Sequence, residues 1–520
     1  MVKEFEMAVR PADATSLTSL KKVVCRHLSL EMDAMSHLEI LRRSVDARRS
    51  PVWIRLKLRA YTLPDHPEPQ LYKPAYRDVS KAPAVVIAGA GPAGLFAALR
   101  LLEGGMKPVI LDRGKNVSDR KPDIARIHRE HKVNPDSNYC FGEGGAGTFS
   151  DGKLYTRSTK RGSVEDVLRK MVFHGANPEI LIDTHPHIGS DRLLPLITAI
   201  RNTILGHGGE IHFGHRVAGI EHHQGAVTAF TDQHGNRFAG TAFILATGHS
   251  ARDIYQLFAG YNWPVEFKPF ALGVRVEHPQ ALINTIQYHQ KNPDPYLPAA
   301  TYTLKTQAQG KGVFSFCMCP GGIIVPSATR QEQVVVNGMS NSRRNSPFAN
   351  AGIVTEIGAE ETAAFSRFGP LAGLAYQETV EEQMRIGGIH SQKAPAQRLT
   401  DFLNRTLSHD LPKSSYTPGL QSAPLHELLP AQVTARLTEG FQRFGQMMKG
   451  FVTNEAVVVG TESRTSSPVR IPRHQADMHY PLFGNLFPCG EGAGYAGGIV
   501  SSAIDGQNAA RMILLKNGLL

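Results

Sequence analysis

Three stretches of the chain carry the pattern G-x-G-x-x-G: Gly89/Gly91/Gly94, Gly142/Gly144/Gly147 and Gly492/Gly494/Gly497. Glycines at this spacing let a backbone turn sharply and approach a flat or phosphorylated ligand. Only the first has the context that dinucleotide binding requires. It follows the apolar run 84–88 (AVVIA), opens an apolar helix through Leu102, and leads to a second apolar run, 108–111 (PVIL). That run ends at Asp112, 18 residues past Gly94. Gly89 permits the tight turn, Gly91 the approach of a pyrophosphate, and Gly94 the packing of helix on strand. Pro92 and Ala93 open the helix, whose free N–H groups and positive dipole end suit phosphates. Asp112 is placed to accept hydrogen bonds from the adenosine ribose. The motif alone leaves NAD and FAD both open.

Other residues offer different chemistry. Cys317-Met-Cys319 is a C-x-C in a strand-like stretch, suited either to thiol redox exchange or to plain packing. Arg343 and Arg344 lie in one polar, turn-rich segment, and Arg464, Arg470 and Arg473 in another. Guanidinium forks suit carboxylates and phosphates, so an anionic small-molecule substrate fits Arg343, Arg344 and Arg464. His185 and His187 read as loop residues ahead of a helix near Ser190, and no metal site is expected.

Further strings narrow the reading. Asp112-Arg113-Gly114, the "ATG" string ending at Thr247-Gly248, and 486–491 (LFPCGE) resemble motifs of FAD-containing oxidoreductases of the glutathione-reductase structural superfamily. In most of those relatives an Asp stands where this chain has Glu491. The strings 139–154 (YCFGEGGAGTFSDGKL), 315–322 (SFCMCPGG), 340–350 (SNSRRNSPFAN), 462–473 (ESRTSSPVRIPR) and 489–499 (CGEGAGYAGGI) are similar to the poorly characterised bacterial FAD-dependent dehydrogenase family. The resemblance runs from about residue 40 onward. It implies FAD as cofactor, with NAD(P)H at most a transient visitor, and hydride passing at flavin N5. It implies cofactor contacts from Gly89, Gly91, Pro92, Ala93, Gly94, Asp112, Arg113, Gly144, Gly145, Lys153, Val217, Thr247, Gly248, Gly490, Glu491, Gly497, Gly498 and Ile499. The pyridine-nucleotide disulfide reductases place two cysteines soon after the first βαβ unit, where this chain has only Cys140; Cys317 and Cys319 are the redox candidates here.

These residues need a scaffold. The chain has 520 residues, 41% hydrophobic and 20% charged, long enough for about three domains and too apolar for disorder. The fold expected is α/β: a Rossmann-like, discontinuous FAD-binding domain (82–254 and 441–520), an inserted mixed α/β substrate domain (255–440), and a small N-terminal α+β domain (1–75). Pro64, Pro67, Pro69 and Pro74 mark the linker after it. No repeat, signal peptide or 18-residue apolar run is visible, and five cysteines exclude a disulfide scaffold, which points to the cytoplasm.

The net charge is +11, and residues 1–80 hold 14 Lys+Arg against 10 Asp+Glu. Arg42, Arg43, Arg48, Arg49, Arg55, Lys57 and Arg59 therefore raise an RNA-modifying flavoenzyme as an alternative. An aromatic RNP string and a KH-type GXXG loop are both lacking, so a solvated face is the plainer reading and nucleic acid is not an expected partner. A non-catalytic flavin-binding redox sensor is the other alternative. Oligomeric state is left open.

Overall fold

A computed structural model describes residues 2–66, 72–156 and 161–520. At its centre is a wholly parallel sheet of five strands. Their order is Leu486–Pro488, Ala242–Leu245, Ala84–Ala88, Lys107–Asp112 and Glu210–Phe213. Four of the five are apolar because helices or a second sheet cover both faces. Val85, Ile87 and Ile110 face a cluster built from the helices Pro92–Gly104, Ser190–Gly206 and Ile499–Lys516. Val86, Ala88 and Leu111 face the opposite way, toward the helix Arg252–Gly260 and a small antiparallel sheet of strands Val217–His223, Ala226–Asp232 and Arg237–Ala239. That antiparallel sheet was not foreseen.

Small residues bring two of the helices together. A Cβ on Gly506 would lie 1.9 Å from the Ala93 carbonyl oxygen, and one on Gly104 would lie 2.3 Å from the Leu514 side chain. Pro92–Gly104 and Ile499–Lys516 therefore run side by side in the same direction, with their N-termini at the same end.

A second sheet has seven strands, in the order Lys305–Ala308, Lys311–Cys319, Phe348–Ile357, Phe270–Pro279, Val457–Glu462, Ala394–Arg398 and Leu420–Ser422. The helix Ala431–Met447 packs on it through Val433, Leu437, Phe441 and Phe444. Val457–Glu462 pairs with Phe270–Pro279 and Ala394–Arg398. The second segment of the parallel-sheet unit thus begins after this strand rather than at 441. Val336–Ser340 pairs with Gly322–Pro326 in a separate two-stranded ribbon.

The N-terminal unit is a three-stranded antiparallel sheet, ordered Val2–Val9, Trp53–Thr62, Met35–Asp46, with the helix Leu17–Leu28 on one face. Alternation along Trp53–Thr62 buries Ile54, Leu56, Leu58 and Ala60 against Leu20, Val24 and Cys25. The basic residues take the other face and are ion-paired: Arg55 and Arg48 with Asp46, Lys57 with Glu4, and Arg59 with Glu4 and Glu39. Arg43 pairs with Asp183 (2.7 Å) and Glu179 (3.2 Å), and Arg42 donates to Thr184, so this unit docks on the segment before Ser190. Pro67 and Pro69 of the expected linker lie outside the described residues. Among the described residues no helix is long and apolar enough to cross a membrane.

Candidate functional site

The carboxyl ends of the parallel strands open into a cavity of about 380 Å³, closed on the far side by the seven-stranded sheet. This is where open α/β sheets bind ligands. The turn after Ala84–Ala88 supplies Gly89, Gly91, Pro92 and Ala93 to its wall. Gly89 has φ +106°, and a Cβ there would sit 2.4 Å from the Ala246 carbonyl oxygen, so only glycine fits. Gly94 lies behind the wall, where its lack of a Cβ lets the helix rest on the Gly89 carbonyl.

Gly91 is different. It caps the helix Pro92–Gly104 with extended backbone and no side-chain hydrogen bond, and a Cβ on it would meet nothing within 4 Å. Pro92 at the first helical position has no N–H to donate. The helix end is therefore bare toward the cavity, with its free N–H groups and positive dipole end unopposed. Gly498 repeats the arrangement for Ile499–Lys516: no side-chain cap, open space at its Cβ, and a place in the same wall.

Asp112 is almost fully buried. Its two carboxylate oxygens accept from the backbone N–H groups of Ala90 and Gly114, each at 2.8 Å. Burial pushes its carboxyl up, against the pull of those two N–H groups and of the nearby Arg120 and Arg113. Its first role is thus to hold the glycine turn; each oxygen keeps a second lone pair, and the residue lines the cavity. Beside it, Arg113 pairs with Asp136 and Asp253, both at 2.8 Å, and lies over the Phe141 ring. Arg216 and Val217 complete this end.

The second glycine stretch packs on the first. The Gly144 N–H donates to the Ala90 carbonyl at 2.8 Å, and Gly142, Gly145, Ala146 and Gly147 line the cavity. Gly144 does not: at φ +78° its Cβ would strike Thr148 and Ile197, so it is glycine for packing. The buried Arg120 organises this loop by donating to the carbonyls of Asn138, Glu143 and Gly145. The third stretch returns at Gly490, whose N–H donates to Asp505, itself held by Arg473 at 2.7 Å. Glu491 lines the cavity and accepts from the Gly498 N–H at 2.5 Å; burial raises its carboxyl above the ordinary range. Thr247, Gly248, Gly497 and Ile499 are also in the wall.

At the opposite end stand Lys153, Phe316, Cys317, Asn337 and Arg464. Lys153 donates to the Met318 carbonyl and lies 3.9 Å from Asp151. Cys319 is buried behind Cys317 and outside the wall. The substrate arginines separate. Arg343 is exposed and not in the wall, and Arg344, also outside it, spends its charge on Asp151 at 2.6 Å. Arg464 is in the wall, yet its guanidinium is held by Glu381 (3.1 Å), Thr329 (3.0 Å) and Gln333. Arg470 is paired loosely with Glu266, and His185 and His187 stand behind the wall residues Tyr155 and Lys153 rather than in the wall. Among the described residues no group of acidic, His or Cys side chains is arranged to hold a metal ion.

Sequence reasoning missed Phe141, Arg216, His249, Asp253 and Phe316. His249 directly follows Thr247-Gly248; its Nδ1 is buried without a partner, and burial, with Arg464 and Arg252 nearby, pushes its imidazole down to about 3, so it is neutral.

The family described as "FAD-dependent protein, C-terminal domain-like" matches residues 269–465, and a domain of unknown function (DUF8436) matches residues 1–61. A protein of Clostridium beijerinckii that bears the name "Uncharacterized protein" is 36% identical over 522 residues, covering 96% of each chain. The chain belongs to one family with that protein, and its residues 269–465 carry the FAD-dependent protein C-terminal domain. That domain match spans the seven-stranded sheet from Phe270–Pro279 to Val457–Glu462. Among solved structures, tetracycline destructase Tet(51) is 12% identical (TM-score 0.34, 84% of this chain and 83% of that one). A geranylgeranyl bacteriochlorophyll reductase-like protein of Thermoplasma acidophilum is also 12% identical (TM-score 0.35, 84% and 79%). Likenesses this distant say nothing about what the chain acts on.

Proposed function

We propose that the cavity binds FAD and that the protein is an oxidoreductase acting on a small molecule at the Lys153–Cys317 end. The observation that carries this is the pair of helix N-termini without a side-chain cap, at Gly91 and Gly498, opening into one cavity. The pyrophosphate suits the Gly91 end. Asp112 receives the adenosine ribose on its free lone pairs, with Val217, Arg113 and Arg216 around the adenine end. Glu491, Gly490 and Thr247-Gly248 flank the ribityl chain, and Gly145, Gly498 and Ile499 border the ring.

Bound FAD supplies two-electron chemistry, hydride exchange at N5. The chain's own residues prepare for it. The dipole end of Ile499–Lys516 favours negative charge on a reduced ring. Lys153 offers a cation to an anionic substrate, whereas Arg343 and Arg344 do not. The neutral His249 adds an imidazole nitrogen free to bond a ligand. Any nicotinamide dinucleotide would come and go at the same mouth.

The test is anaerobic. Purified protein is expected to be yellow and to bleach with NADH, NADPH or a member of a metabolite panel that includes carboxylates. A flavin that no donor reduces would favour the redox-sensor reading instead.

A further inference from the structure

Cys317 sits on a distortion that its neighbours build around it. In Lys311–Cys319 the pairing with Phe348–Ile357 breaks between Phe316 and Cys319. Within that bulge Cys317 has φ +44°, a conformation unusual for a side-chain-bearing residue and typical of functional sites. Arg275 fixes the kink by donating to the Cys317 carbonyl at 3.3 Å, and Gly338 makes room for that guanidinium. The result is that Cys317 enters the cavity wall beside Phe316 while Cys319 stays buried behind it. The Cys319 thiol donates to the Cys317 carbonyl at 3.3 Å, which brings its sulfur against Cys317.

Cations stand close to the pair. Asp151 is neutralised by Arg344 (2.6 Å) and Glu462 by Arg275 (2.6 Å). Glu491 also faces Cys317, and burial raises its carboxyl against the pull of the Gly498 N–H and Lys268. Lys153, 3.9 Å from Asp151, also acts on Cys317 and favours a thiolate there. The Cys319 hydrogen bond, opposed by burial and aided by Lys153 and Arg275, lowers the Cys317 thiol, while Cys319 is raised.

We propose that Cys317 and Cys319 form a redox-active dithiol, with Cys317 the attacking thiolate and Cys319 its partner, exchanging two electrons with the flavin. This rests on the reading that FAD occupies the cavity. The step balances: a sulfur–sulfur bond forms, the Cys319 S–H bond breaks, and the oxidised flavin takes up both electrons and that proton. Disulfide and anionic reduced flavin result.

Two arms separate this proposal from the flavin reading. In the first, the purified full-length protein is alkylated at pH 7 and its peptides are quantified. Cys317 is expected to react at least about tenfold faster than Cys25, Cys140 or Cys489. Diamide is expected to block Cys317 and Cys319 together, and Cys319→Ser to remove that block while leaving Cys317 reactive. Labelling of Cys317 no faster than of the buried cysteines, or free alkylation of both after diamide, overturns the dithiol whether or not flavin is present. In the second, anaerobic dithiothreitol is expected to bleach the wild-type flavin and to leave that of Cys317→Ser oxidised. Equal bleaching of both overturns the exchange with flavin and leaves the flavin-binding reading standing.

Discussion

Replacing Gly91 by aspartate is expected to give a folded, colourless protein. Gly91 is an extended, uncapped N-cap residue with open space at its Cβ. An aspartate there neither clashes nor strains the backbone, and it is a good cap, worth a few tenths of a kcal/mol over glycine. The same carboxylate lies where the pyrophosphate is proposed to sit. Placing like charges together costs several kcal/mol, so FAD affinity should fall by about 100-fold or more. The comparison that matters is between flavin-free wild type and variant, because bound FAD itself stabilises the folded state. Equal or slightly higher urea midpoint for Gly91→Asp, with loss of flavin, is the expected pair of results. Gly89→Ala is a useful contrast, since its Cβ would meet the Ala246 carbonyl and both stability and flavin should fall.

The largest effect on stability is expected at a residue outside the cavity. Glu381, on the helix Ala372–Gly387, is fully buried and accepts from Arg252 (2.8 Å), Ser463 (2.7 Å) and Arg464 (3.1 Å). It thereby ties the seven-stranded unit to the helix Arg252–Gly260 and to the segment leading back to the parallel sheet. Glu381→Gln leaves Arg464 buried with no carboxylate partner among the described residues, while Arg252 retains Glu378 at 3.3 Å. Breaking a buried pair from one side typically costs about 3–5 kcal/mol. The exposed neighbour Glu382→Gln should change stability by less than about 0.5 kcal/mol. The pH dependence follows. Burial pushes the Glu381 carboxyl up, but Arg252 and Arg464 outweigh it and hold it at about 2. A depressed folded-state value means that its stabilisation is complete above the unfolded value of about 4.3 and is lost as pH falls from there through about 2. Urea unfolding from pH 6 to pH 3 should show wild type losing part of its lead over Glu381→Gln. A constant gap would remove Glu381 from the account.

How much of this was legible in the sequence depended on how local each signal was. The run 84–88, the glycine turn, the helix after it and Asp112 are contiguous, and each local preference agrees with the fold. The same holds for the final strand, turn and helix. Sheet membership was less visible. Val457–Glu462 looks like any buried strand, and nothing nearby says that it pairs with Phe270–Pro279 rather than with the parallel sheet. Side-chain destination was least visible where adjacent residues differ. Arg344 reaches Asp151 whereas Arg343 is exposed, a split set by the turn and by φ +50° at Arg344. Alternation of apolar and basic residues over 52–61 says which residues share a face, but the cations find their partners across strands, at Glu4 and Glu39. Glu381 gave no signal at all, because a single acid in a helix is ordinary until two arginines from distant segments meet it.

The central claim is that FAD lies against the bare N-termini at Gly91 and Gly498. Fluorescence titration of flavin-stripped protein with FAD, run in parallel on Gly91→Asp, tests it most directly. The expected result is saturation at one FAD per wild-type chain and affinity at least about 100-fold weaker in the variant. Absence of FAD binding to the wild type, or equal binding to both proteins, would contradict the account.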